Sequence, residues 1–216
     1  MGFSDRLQGL FARETLVSLY QFLKGTSPRV SRADLIRYTC LALVAVIAFT
    51  VRILPLRWGA YLSEFDPYYH YRIAEYVAKN WNLWFTKSFW EWQDYQSWWP
   101  GGRDIWGTTP PGLPFTAATI YLLLNLLDFQ ITVMDVCIFF PPVVGAITCL
   151  AIYFLGKDVG GEEVGLLSAL ILSLNGAYIG RTYLGFFKHE TVGILAIVLV
   201  SLFFLRSTDP KRSLSS

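Results

Sequence analysis

The sequence predicts an all-α protein that crosses a lipid bilayer several times. Three observations predict this class. Hydrophobic residues make up 54% of the 216 residues. Charged residues make up 16%, where a soluble domain carries roughly 25%. The apolar residues also gather into long runs, and the mean hydropathy is +0.41. A net charge of +2 gives no basic stripe for nucleic acid, and no such partner is expected. The three cysteines, Cys40, Cys137 and Cys149, fall inside apolar runs and read as small core residues rather than a disulfide framework.

Residues 1–37 read as a cytoplasmic amphipathic segment and linker. Phe3, Leu7, Leu10, Phe11 and Val17 approximate one helical face behind a Ser4–Asp5 cap, as an interfacial helix would, and no cleavable signal peptide is evident. Five apolar segments follow: 38–56, 112–127, 136–155, 164–180 and 191–205. A crossing needs about 20 residues, so length alone leaves several of them short. Charge settles the count. Arg6, Arg13, Lys24, Arg29, Arg32 and Arg37 outnumber Asp5, Glu14 and Asp34 before the first segment, and Arg206, Lys211 and Arg212 follow the last. Both ends then prefer the cytoplasm, and the number of crossings is even.

The segment at 112–127 is short and opens on Pro110, Pro111 and Pro114, so it is expected to lie along the membrane surface. Spans are placed at about 38–56, 133–155, 164–182 and 191–206, within a transmembrane domain of 38–206. An external loop of 58–131 and a cytoplasmic tail of 207–216 complete the topology. All eight tryptophans lie in that loop or at its edge, and they read as an aromatic belt at headgroup level. Of the GxxxG spacings, Gly156/Gly160 and Gly161/Gly165 fall at an expected cytoplasmic loop, and only Gly176/Gly180 reads as close helix packing.

Two stretches carry charge at membrane depth, where ionisable groups are costly and mark functional sites. The first, EFDPYYHYR, brings Glu64 and Asp66 to the start of the external loop. Asp followed by Pro is a strong helix start, so Asp66 reads first as an N-cap of a helix over 68–79. The second, GRTYLGFFKHE, brings Arg181, Lys188, His189 and Glu190 out on the same face. Arg181 and Lys188 are expected either to neutralise Asp66 and Glu190 or to share a site with them.

Together with DYQSWWPGGRDIWGTTPPGLPFT and the continuation GRTYLGFFKHETVGI, these stretches resemble, in order and separation, the N-terminal membrane portion of oligosaccharyltransferase catalytic subunits. The resemblance covers about residues 40–205. It implies a GT-C-type glycosyltransferase whose large first external loop carries membrane-parallel helices. Such an enzyme moves an oligosaccharide from a dolichyl or polyprenyl (pyro)phosphate carrier to Asn of Asn-x-Ser/Thr sequons. Its partners would be the lipid-linked oligosaccharide, an acceptor polypeptide, the bilayer, and the C-terminal half of the enzyme or other subunits. The site would face outward from a cell membrane, or into the lumen of the endoplasmic reticulum in a eukaryote.

The resemblance places Asp66 as a ligand of catalytic Mn²⁺ or Mg²⁺ and a contact to the acceptor amide, Glu190 as a second ligand, and Arg181 as an orienting charge. An amide nitrogen is a poor nucleophile because its lone pair is delocalised into the carbonyl. Carboxylates that accept its N–H bonds hold it for attack, and a hard cation steadies the leaving phosphate. Lys188 stands where the family has an aspartate, putting a cation where a ligand is expected, and His189 is an alternative donor. The C-terminal half of the family's site lies outside this sequence, so this chain alone is expected to be inactive. Two alternatives stand: a non-catalytic paralogue or fragment that binds lipid-linked sugar or partner subunits, and another GT-C transferase using a polyprenyl-phosphate sugar.

Overall fold

The computed structural model describes residues 31–208. The expected amphipathic helix and the residues beyond 208 lie outside them. The chain divides into two units, Met1–Thr39 and Cys40–Ser216. Among the described residues of the first unit, Ser31 and Asp34 cap a helix reciprocally: the Asp34 N–H donates to Ser31 Oγ at 3.1 Å, and the Ser31 hydroxyl donates to the Asp34 carboxylate at 2.8 Å.

That helix, α1, spans Arg32–Ile53, beginning six residues before the expected span. It gives way at Pro55 to a 3₁₀ turn over Leu54–Trp58. Proline both disfavours helical geometry in the residue before it and lacks an N–H. Helix α2 is Phe65–Lys79 and buries Pro67, Tyr69, His70, Ile73, Ala74 and Val77. Those positions recur at helical spacing and make one face.

Two short helices, α3 (Lys87–Trp90) and α4 (Ile105–Thr108), flank a two-stranded antiparallel ribbon, β1 (Gln93–Asp94) and β2 (Arg103–Asp104), that pairs Gln93 with Asp104. Helix α5 is Gly112–Leu126, α6 is Val133–Gly160, α7 is Glu162–Leu174, α8 is Gly176–Ile179 and α9 is His189–Thr208. The fold is therefore an all-α membrane architecture. Among the described residues, three stretches are long and apolar enough to cross a bilayer: Arg32–Trp58, Val133–Gly160 and His189–Thr208.

The structure interrupts one expected helix and corrects one packing reading. The helix expected over 164–182 breaks at Asn175, whose side chain accepts the Tyr178 N–H at 2.9 Å and so starts α8. The 13 residues of α7 rise only about 20 Å, against a hydrocarbon core of about 30 Å. The GxxxG reading inverts: a Cβ on Gly165 would meet the Tyr153 carbonyl at 2.6 Å, and one on Gly156 the Gly165 Cα at 3.0 Å, while a Cβ on Gly176 would meet nothing within 4 Å. Helix α6 runs on to Gly160, so Gly156 is the site where α7 packs closely against it.

The tryptophan-rich loop is an aromatic core as much as a belt. Tyr76 stacks on Trp92 at 3.8 Å and Phe89 on Trp106 at 5.5 Å. The Trp106 indole donates to the Phe89 carbonyl at 2.7 Å, so its polar edge is satisfied inside the cluster. One side of α2 packs on this cluster through Ile73 and Val77. Its other side enters a second core through Ala74, with Leu113 and Ala117 of α5 and Val136 and Cys137 of α6. Asp94, 1% exposed, ties α2 to the ribbon by taking two bonds from Arg72, at 2.7 and 2.9 Å. Burial pushes the Asp94 carboxyl up, but donors from Arg72, Ser97 and the Gln96 backbone outweigh it and hold its pKa below the usual value.

Candidate functional site

The stretch between α8 and α9 is held by backbone bonds to three other segments. Pro142, inside α6, has no N–H to give to the Ile138 carbonyl one turn earlier. The Gly185 N–H takes that carbonyl at 3.0 Å, the Gly185 carbonyl accepts from Ser63 N–H at 3.0 Å, and the Leu184 N–H reaches the Arg52 carbonyl at 2.9 Å. Gly185 has φ +82°, and a Cβ there would lie 2.0 Å from the Tyr61 carbonyl oxygen. Only glycine allows both the left-handed backbone and this approach.

A second anchor lies beneath it. Arg52 is fully buried; it donates through Nε to Thr182 Oγ1 at 2.7 Å and through one terminal nitrogen to the carbonyls of Ala48 and Ser173 at 2.7 and 3.2 Å. The Ser173 carbonyl is one of those orphaned where α7 ends, so the guanidinium caps the broken helix from the side.

These anchors bring the two charged stretches together. Lys188 Nζ lies 2.6 Å from Glu64 Oε2 and 3.0 Å from Asp66 Oδ2. Of the two carboxylates expected for Lys188, Asp66 is the one it meets, and Glu64 joins it. Arg181 pairs instead with Glu190, at 3.4 Å. The hydrogen bond to Glu64, opposed by burial and reinforced by Asp66, raises the Lys188 pKa.

Asp66 is not the N-cap of α2. Glu64 occupies that position, with φ 65° and no side-chain capping bond, and Asp66 sits in the first turn with its carboxylate turned to Lys188. The pull of the ammonium outweighs the capping preference because it adds a charge-assisted bond. His189 lies with its ring 4.3 Å from that of His70. His70 is buried, and its Nδ1 has no hydrogen-bond partner. Burial first, then the neighbouring His189 and the Lys188 and Arg103 charges, push its pKa down to about 4 against the pull of Asp66. The ring is neutral at pH 7.

Four contributors were not singled out in the sequence as site residues: Glu64 as a partner of Lys188, His70, Arg52 and Gly185. His70 was the most accessible of them, since it follows Asp66 by one helical turn and so shares its face.

The resemblance implies Mn²⁺ or Mg²⁺ at these acids. Either ion takes oxygen ligands in a near-octahedral shell. Here Asp66 and Glu64 already share an ammonium, Glu190 faces Arg181, and His189 faces His70. Among the described residues no group of three or more His, Cys, Asp or Glu side chains is arranged to hold a metal ion. The side chains as placed do not fit a divalent cation.

The fold and this charged cluster at the starts of α2 and α9 define an all-α membrane protein with a polar site at its helix ends. Residues 35–215 match the family described as Oligosaccharyl transferase STT3, N-terminal, and the chain belongs to that family. It is 36% identical over 170 residues to the dolichyl-diphosphooligosaccharide–protein glycosyltransferase subunit STT3A of Oryza sativa subsp. japonica, covering 78% of this chain and 21% of that protein. It is 35% identical over 176 residues to the subunit STT3B of Arabidopsis thaliana, covering 81% of this chain and 23% of that protein. Against the subunit stt-3 of Caenorhabditis elegans the identity is 30% over 185 residues, covering 85% and 24%. The chain thus spans about a fifth to a quarter of the length of these relatives.

Proposed function

We propose that this chain forms the N-terminal membrane part of an oligosaccharyltransferase, which moves an oligosaccharide from a dolichyl or polyprenyl (pyro)phosphate carrier to Asn of Asn-x-Ser/Thr sequons. The observation that carries this reading is the family match over 35–215, which spans both charged stretches that the fold brings together. Asp66 is 59% exposed, with one oxygen on Lys188. Its other oxygen would accept an N–H of the acceptor amide and hold the nitrogen toward the sugar. Arg181 and Glu190, paired and half-exposed, would orient the substrate's charged groups.

In this reading the protein is multi-pass. The spans lie near 38–56, 133–155, 164–182 and 191–206, loop 58–131 lies outside or in the lumen, and the tail is cytoplasmic. The interrupted helix α7–α8 would complete the third crossing. The rest of the site would come from further polypeptide of the same enzyme. A second reading, a non-catalytic relative that binds lipid-linked sugar, is favoured by one observation, the ammonium seated between Glu64 and Asp66.

Asp66→Asn in the complete enzyme, assayed with lipid-linked oligosaccharide and a fluorescent Asn-x-Thr peptide, tests the leading reading. Asn removes the charge but keeps the shape. Transfer is expected to fall at least a hundredfold with the fold intact; transfer at the wild-type rate by folded Asp66→Asn protein would refute the assignment of Asp66. Absence of transfer by the wild-type enzyme itself would favour the non-catalytic reading.

A further inference from the structure

We propose that Lys188 is the resident cation of the Glu64–Asp66 carboxylate pair, so that this acidic site is charge-balanced by a side chain and excludes divalent ions. The inference rests on the transfer reading only for what the site does; its geometry stands independently.

The ammonium sits where a bridging ion would have to sit. It is 2.6 Å from one carboxylate oxygen and 3.0 Å from the other, distances at which a lysine hydrogen-bonds both acids at once. An ion ligated by the same two oxygens would need them at about 2.0–2.2 Å and would meet Nζ as a like charge in its own shell. Binding therefore requires Lys188 to leave.

The structure resists that departure. Lys188 is not a mobile surface lysine, because its side chain is 13% exposed while the acids it serves are 52% and 59% exposed. The two residues before it, Phe186 and Phe187, are buried. Its backbone N–H donates to the Phe186 carbonyl at 2.9 Å, and its own carbonyl accepts from Thr191 at 3.2 Å. Its Nζ also lies 4.9 Å from the centre of the Phe186 ring, a cation–π contact that a departing ammonium would lose. Behind all of this, Gly185 is bonded to α6 and to the 59–64 connector.

Among the described residues, no neighbouring group compensates for the loss of these acids as ligands. Glu190 is held by Arg181, and the two imidazoles pack on each other. Two carboxylates and one ammonium leave a site of net −1 whose outward oxygens remain open to neutral N–H donors. That suits an amide better than a metal.

The test is Mn²⁺ binding followed by electron paramagnetic resonance on the detergent-solubilised full chain, wild type against Lys188→Met. Met keeps the length of the stem and removes the charge. The wild type is expected to bind Mn²⁺ at least tenfold more weakly than the variant. Equal affinities, whether tight or undetectable, would overturn the proposal, because Lys188 would then not govern cation occupancy.

A second measurement needs no variant. Reductive methylation of Lys188 in the wild type, followed by mass spectrometry, is expected to be slower than that of exposed Lys87 and unchanged by millimolar Mn²⁺. Acceleration by Mn²⁺ would mean that the metal displaces the ammonium, which also overturns the proposal. Neither measurement depends on glycan transfer, so a failure here is separable from a failure of the transfer reading.

Discussion

Gly185→Ala isolates the feature on which the site's assembly depends. The added Cβ would lie 2.0 Å from the Tyr61 carbonyl oxygen and 3.1 Å from its carbon, both backbone atoms with no rotamer to escape into. Holding alanine at φ +82° costs about 1–2 kcal/mol. Moving the backbone to relieve the clash breaks the bonds to Ile138 and Ser63, at about 1 kcal/mol each and more for any group left buried and unpaired. The total is about 3–5 kcal/mol.

The assay is reversible unfolding in mixed micelles by SDS, followed by tryptophan fluorescence. Gly193→Ala is the control: the added Cβ would meet nothing within 4 Å beyond its own helix, and the position sits inside α9. Alanine there is expected to be neutral or to stabilise by up to about 1 kcal/mol. Because Gly185 also carries the turn that delivers Lys188, its alanine variant should expose Lys188 to methylation. If the two variants unfold at the same SDS fraction, the close approach does not hold the site and the reasoning fails.

Arg52→Met removes the bonds to Thr182, Ala48 and Ser173 and is expected to cost about 2–4 kcal/mol in the same unfolding assay; Arg52→Lys should not rescue it, since an ammonium lacks the planar fork that reaches Thr182 and Ser173 together. Asp94 has its pKa lowered by folding, so its contribution is present above the unfolded value near 4 and is lost as pH falls through and below that value; Asp94→Asn should flatten the stability profile there and nowhere above about pH 5. His70 also has its pKa lowered, to about 4, so the unfolded chain takes up a proton that the fold refuses and stability should drop by up to about 3 kcal/mol between pH 6.5 and pH 4. His70→Phe should remove that slope in SDS titrations run at each pH. For topology, single cysteines placed at Gln93 and Ser213 in a cysteine-free background should react with an impermeant maleimide from outside only at Gln93; labelling at both from outside would contradict the proposed crossings.

The apolar runs and the charged stretches were legible because they depend on residues adjacent in sequence. The start of α6 was local too: Thr132 and Asp135 form a capping box readable from their spacing. What was not legible depends on groups that meet across the fold. Asn175 stands in an apolar run, and its tendency to start a new helix competes with hydropathy, which a window average hides. Gly185 reads in sequence as one more glycine; its meaning comes from Tyr61, far away in the chain. The cause that prepares its partner is readable once seen, since Pro142 necessarily frees the Ile138 carbonyl, but not which N–H would take it. The ion pairs were legible as a set of charges, and their partition between Asp66 and Glu190 was not, because that depends on where the Gly185 turn aims Lys188.

The partition follows a simple physical division. Asp66 and Glu190 each occupy the first turn of a helix, α2 and α9, where the helix dipole favours a negative charge. Both cations come from the connecting stretch between α8 and α9. The acids are therefore fixed by helices whose other faces form the cores, while the cations ride on a turn held by glycine and proline geometry. Substitution at 181 or 188 changes the charge of the site without disturbing either helix. The two positions differ in consequence. The Arg181–Glu190 pair is about half exposed, and such pairs contribute only about 0–1 kcal/mol. Lys188 is largely enclosed and serves two acids at once, so it is the position at which the electrostatic character of the site is decided.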